Sequence, residues 1–134
     1  MKKSIKQLQL EFLEDMVEYY SADPKKRRNY DEEHEVCQYL PISKESEGCA
    51  IGRKISKRLA KKLDNFIGLG DDYGSGTTVD SDGVFELLPQ KLQNLGQEFL
   101  IDIQKFHDEK EHWASKKTIK YRMDRIIEKY DLKS

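Results

Sequence analysis

Apolar residues recur at three- and four-residue steps in four stretches of this chain, a spacing that predicts four amphipathic helices. The first runs from about Ser4 to Tyr20, with Ile5, Leu8, Phe12, Met16 and Tyr19 on one face; Ser4 suits the N-cap, and Asp23-Pro24 ends the segment. The second starts near Cys49 or Gly52 and places Ile55, Leu59, Leu63 and Phe66 on one side, with Gly68 and Gly70 as its stop. The third opens at Pro89, which fits a first helical turn, and carries Leu92, Leu95, Phe99, Ile103 and Phe106 as one long stripe. The fourth, from about Ser115 to Tyr130, aligns Ile119, Met123, Ile126, Ile127 and Tyr130. Trp113, the single tryptophan, is expected to anchor the corner between the last two.

Two short apolar runs, Val36 to Leu40 and Val84 to Leu87, read as strands able to pair with each other. The predicted fold class is therefore mainly α, of the α+β kind: about four amphipathic helices with a short two-stranded β-ribbon lying against them. At 134 residues the chain has the length of one domain with room for a core, and residues 1–134 are read as one unit.

Composition sharpens this picture. Charged residues make up 37% of the chain, so its surface is densely ionic, yet 24 basic and 25 acidic side chains nearly cancel. A formal net charge of -1 argues against nucleic acid as a partner of the whole domain, while leaving room for a local patch. No apolar run approaches the roughly 18 to 20 residues that span a bilayer, and the polar residues after Met1-Lys2-Lys3 make no signal-peptide core. A soluble, cytoplasmic protein without a membrane partner is expected, with Cys37 and Cys49 as thiols or metal ligands and not a disulfide.

Charge is unevenly placed. Arg53, Lys54, Lys57, Arg58, Lys61 and Lys62 fill the polar half of the second helix with no acid among them, and Lys25-Lys26-Arg27-Arg28 adds a second basic run. Such a face suits phosphates, an acidic protein or another anion; the competing account is a solvated face neutralised by the chain's own acids. Residues 68–83 hold five glycines and four aspartates and no cation, the composition of a surface loop. Asp80-Ser81-Asp82-Gly83 fails as an EF-hand, because the twelfth loop position falls on Pro89. Gly74-Ser75-Gly76-Thr77-Thr78 lacks the lysine and spacing of a P-loop.

Chemistry concentrates at Gly48-Cys49-Ala50-Ile51-Gly52-Arg53. A cysteine where a helix begins, next to an arginine, is placed for a stabilised thiolate, and His107 with Asp108 offers a base and an orienter. The thiol-enzyme reading is thus Cys49 as nucleophile, His107 as base and Asp108 beside it. The plainer reading makes Cys49 a small packing residue at a tight junction and His107 a hydrogen-bonded residue at the core edge. For metal, His34-x2-Cys37 with Cys49 is the nearest approach to a zinc site; His107 and His112 are also of ligand type, but the spacing matches no finger or knuckle, so neither metal nor cofactor is expected.

The ordered series Tyr19-Tyr20, Asp23-Pro24, Arg27-Arg28, Cys37-x-Tyr39, Gly48-Cys49-Ala50-Ile51-Gly52-Arg53, Leu88-Pro89, Gln104-x-x-His107-Asp108 and Trp113 resembles a group of small uncharacterised proteins of bacteria and their phages. The resemblance spans about residues 16 to 113. It implies a cytoplasmic setting, carriage by mobile elements, and a binding or inhibitory task in phage–host conflict. The expected function is a binding protein, an inhibitor or sequestering agent, that captures a protein partner or an anionic small ligand through Arg53, Lys54, Lys57 and Arg58. A Cys49/His107 thiol enzyme and a zinc-stabilised structural module are the alternatives.

Overall fold

A computed structural model describes residues 3–27, 30–31, 36–37, 48–68 and 84–132 of the chain. The architecture is mainly helical, as the hydrophobic spacing predicts. Four longer helices carry it: α1 (Ile5–Ser21), α3 (Lys57–Gly68), α6 (Gln97–Asp108) and α7 (Lys116–Tyr130). Single helical turns α2 (Pro24–Arg27), α4 (Val84–Leu87) and α5 (Gln90–Gln93) lie between them, with 3₁₀ turns at Gly52–Lys54 and Lys110–Trp113.

The helix starts follow side-chain capping. Ser4 and Ser115 each accept the backbone N–H three residues on, from Gln7 and Thr118, and those residues reach back to the cap's own N–H, so two otherwise unpaired donors are satisfied at each start. α1 packs on α7, and α6 on α7. The buried face of α1 is Gln9, Phe12, Leu13, Met16 and Tyr20, rotated from the predicted stripe: Ile5 is 47% exposed and Tyr19 only half-buried. Gln9 explains part of the rotation, since its Nε2 donates to the Leu95 carbonyl at 2.7 Å and so pins α1 to the turn before α6. Across the core, Phe99 meets Phe12 edge-on at 6.3 Å and Tyr130 at 5.3 Å.

Four sequence expectations are corrected. Val84 to Leu87 is a helical turn, not a strand; Val84 and Leu88, four residues apart, are both buried, and the Leu88 N–H closes the turn on the Phe85 carbonyl. A four-residue apolar run fits either period, and neighbouring contacts decide it. The ribbon instead joins β1 (Tyr30–Asp31) and β2 (Val36–Cys37), antiparallel, with Tyr30 opposite Cys37; a local pairing closes a far shorter loop than one to residue 84. The third helix is broken at Gly96, whose φ of +95° lies in the region that favours glycine; a Cβ there would meet nothing within 4 Å, so the backbone angle selects the residue. The second helix is broken too: Ile55 is extended, and Ser56 Oγ accepts the Leu59 N–H at 3.1 Å, starting α3 afresh.

Asp102 ties α6 to α7. It accepts from Lys129 at 2.8 Å and from the Tyr130 hydroxyl at 2.5 Å. Burial works to raise its pKa, but the hydrogen bonds from Lys129 and Tyr130 and the charges of Lys129 and Arg122 outweigh it and hold the carboxyl below its ordinary range. Burial and the same carboxylate push the Tyr130 phenol well up. A lowered carboxyl contributes stability that is complete above about pH 4 and is lost as pH falls through its native pKa; a raised phenol contributes below about pH 10 and loses it at higher pH. Asp102→Asn should therefore lower Tm at neutral pH and flatten its fall on acidification, which a pH series of thermal melts checks. An unchanged acid limb would rule out this carboxylate as a source of acid sensitivity.

Candidate functional site

The Gly48-to-Arg53 turn is built inward. Gly48 takes φ +109°, and Cys49, Ala50, Ile51 and Gly52 are all buried. The turn is held from both ends. Tyr20 donates its hydroxyl to the Gly48 carbonyl at 2.5 Å, and Cys49 Sγ accepts the Gly52 N–H at 3.3 Å while the Cys49 carbonyl accepts from Arg53 N at 3.0 Å. The thiol thus acts as a side-chain cap on its own 3₁₀ turn, with 0% of the residue exposed.

His107 is equally enclosed, at 0% exposure; its Nδ1 lies 2.8 Å from Asp108 Oδ1, so Asp108 reaches back to the ring instead of pointing away from it. Tyr20 stands between the two segments that carry the predicted pair, meeting the His107 ring edge-on at 4.7 Å while its hydroxyl holds Gly48, the neighbour of Cys49. Trp113 closes the same wall: its indole N–H donates to the carbonyls of Phe106 at 2.8 Å and His107 at 3.2 Å, and its ring stands 5.9 Å from Tyr20. The corner between α6 and α7 is anchored by this residue.

Outside the wall the chain turns ionic. Arg53 stacks over the Tyr19 ring at 4.0 Å and pairs with Asp15 at 3.0 Å; Lys54 meets the same carboxylate at 2.6 Å; Arg27 lies over Tyr19 at 4.6 Å and donates to its carbonyl at 2.9 Å. Burial works to raise the Asp15 pKa, but the hydrogen bond from Lys54 and the charge and hydrogen bond of Arg53 outweigh it, and the carboxyl titrates below its usual range. A cleft of about 320 Å³ opens here between Asp15, Glu18, Tyr19, Ala22, Arg27 and Arg53. On the other side of Asp15 a wider cleft, about 430 Å³, is floored by Leu8, Phe12, Leu92 and Leu95.

The six cations predicted to share one helical face are split. Arg53 and Lys54 belong to the 3₁₀ turn and are clamped by Asp15, whereas Lys57, Arg58, Lys61 and Lys62 project from α3 exposed, in no ion pair among the described residues. Lys25 and Lys26 lie in α2, and Arg28 lies outside the described residues. Arg27 belongs to the basic run that the sequence marked, whereas Asp15 and Tyr19 are site residues that sequence reasoning did not assign; their spacing, one helical turn apart, was the only signal.

Of the ligand set His34, Cys37 and Cys49, His34 lies outside the described residues, Cys37 sits in β2, and Cys49 is the buried cap. His112 is engaged by Glu109 at 3.1 Å and the Phe106 carbonyl at 3.2 Å. Among the described residues no group of three or more His, Cys, Asp or Glu is placed to hold a metal ion, and no helix is long and apolar enough to cross a membrane. The glycine-rich segment 69–83, with Gly74 to Thr78 and Asp80 to Gly83, lies outside the described residues. No family model matches the chain, and neither a curated protein nor a solved structure matches it.

Proposed function

We propose that this chain is a binding protein and not an enzyme, and that it captures an acidic protein partner or an anionic small ligand on the outer face of α3. Lys57, Arg58, Lys61 and Lys62 make the contact, and the Asp15 clamp on Arg53 and Lys54 holds the turn that leads into α3. A cytoplasmic role as a phage-borne inhibitor or sequestering protein belongs to the same proposal.

One observation carries it: the charge pattern of α3 works against the helix itself. Its first turn holds Lys57 and Arg58 with no acid, at the end where the helix dipole favours negative charge. Lys57 with Lys61 and Arg58 with Lys62 are like-charged pairs one turn apart, each costing roughly 0.2–0.5 kcal/mol in an isolated helix. A local arrangement that lowers stability, with no compensating ion pair among the described residues, supports reading this face as a functional surface.

The test is the double variant Lys57→Glu with Arg58→Glu. It removes both like-charged pairs and suits the dipole, so Tm should hold or rise. Retention on a poly-glutamate matrix and partner capture from host extract, followed by native mass spectrometry, should both be lost. Unchanged capture by a folded variant would remove α3 from the function.

The thiol-enzyme alternative keeps one favourable contact, that of His107 with Asp108, and meets one adverse fact, the enclosure of Cys49.

A further inference from the structure

A second cationic surface lies on α7, and its composition differs from that of α3 in one decisive respect. Tyr121 is 66% exposed, one of two large apolar side chains so open among the described residues. Lys117 stands four residues before it and Arg125 four residues after, so the three form a line along one face, about 6 Å apart along the axis. Lys120 lies to one side of that line, and the first turn contains no acid. The one carboxylate beside the aromatic, Asp124, is held by Lys120 at 2.8 Å. Lys116, Lys117 and Arg125 are exposed and make no ion pair among the described residues.

We infer that this face of α7 binds single-stranded nucleic acid, with a base stacked on Tyr121 and the neighbouring phosphates met by Lys117 and Arg125. An exposed aromatic between cations is the arrangement by which strands are held without sequence readout: every base offers a π-face, and the backbone supplies the charge. Duplex bases are already stacked, so a lone aromatic on a convex helix gains nothing from them. An anionic membrane is disfavoured because the exposed face, from Lys116 through Lys120 and Asp124 to Glu128, has no apolar residue besides Tyr121 to sink below the headgroups. The near-zero net charge bears on the whole molecule and leaves this patch intact.

The experiment is fluorescence anisotropy at low salt with a labelled thymidine oligonucleotide of roughly 16 nucleotides, the upper site size of a single-strand-binding module. Binding should weaken as salt rises, since phosphate contacts release counterions. Tyr121→Ala should weaken it roughly 5- to 100-fold, the loss of one stacked aromatic, and Tyr121→Phe should restore it. Lys117→Glu with Arg125→Glu should abolish it, whereas Lys57→Glu with Arg58→Glu should leave it in place, which keeps this inference separable from the role of α3. All these side chains are exposed, and circular dichroism confirms that each variant folds. The inference is overturned by no binding to the strand, by binding indifferent to Tyr121→Ala, by loss through the α3 variant alone, or by binding only to anionic lipid vesicles.

Discussion

Tyr20→Ala is expected to lower the unfolding free energy by about 3–5 kcal/mol, a large part of what holds a domain of this size together. Tyr20 is fully buried, packs edge-on against Tyr19, His107 and Trp113, and holds the Gly48 carbonyl with its hydroxyl. Removing the ring opens a cavity among three aromatic neighbours and the Cys49 turn, and Trp113, tied to two backbone carbonyls, cannot move far to fill it. Tyr20→Phe isolates the hydroxyl. It keeps the packing but leaves the Gly48 carbonyl without that donor, for a loss of about 1–3 kcal/mol. Urea titrations followed by circular dichroism separate the two. An alanine variant within about 1 kcal/mol of the parent would mean that the wall is not a unit of stability.

The second large effect concerns Cys49. In the native protein its alkylation by iodoacetamide should be at least about 100-fold slower than in urea, because reagent reaches a fully enclosed sulfur only through local opening. Peptide mass spectrometry scores Cys37 and Cys49 separately. Fast native labelling of Cys49 that slows in His107→Ala would return the thiol-enzyme reading to first place. Slow labelling, unaffected by His107→Ala, leaves Cys49 as the cap of the turn that presents Arg53.

What the sequence made legible was local. The Ser4 and Ser115 starts and the Trp113 corner could be read because cap, spacing and bulk each sit within a few residues of what they control. The breaks at Gly96 and Ser56 were equally local, but a glycine or serine inside an apolar period looks like an interior residue until its dihedral or hydrogen bond is known. The splitting of the basic face was out of reach for another reason. It depends on Asp15 meeting Arg53 and Lys54, a contact between segments 38 residues apart that no periodicity encodes. The exposure of Tyr121 likewise depends on which side α7 turns toward α1 and α6.

With one tryptophan in the chain, set into the Tyr20 wall and bonded through its indole nitrogen, the protein carries its own optical gauge of that corner. Excited at the red edge of the indole band, where the seven tyrosines hardly absorb, ultraviolet emission reports the packing around residue 113. Ligands added to the lysine-rich helices should leave the emission maximum where it is, while a red shift dates the moment water first reaches the aromatic stack.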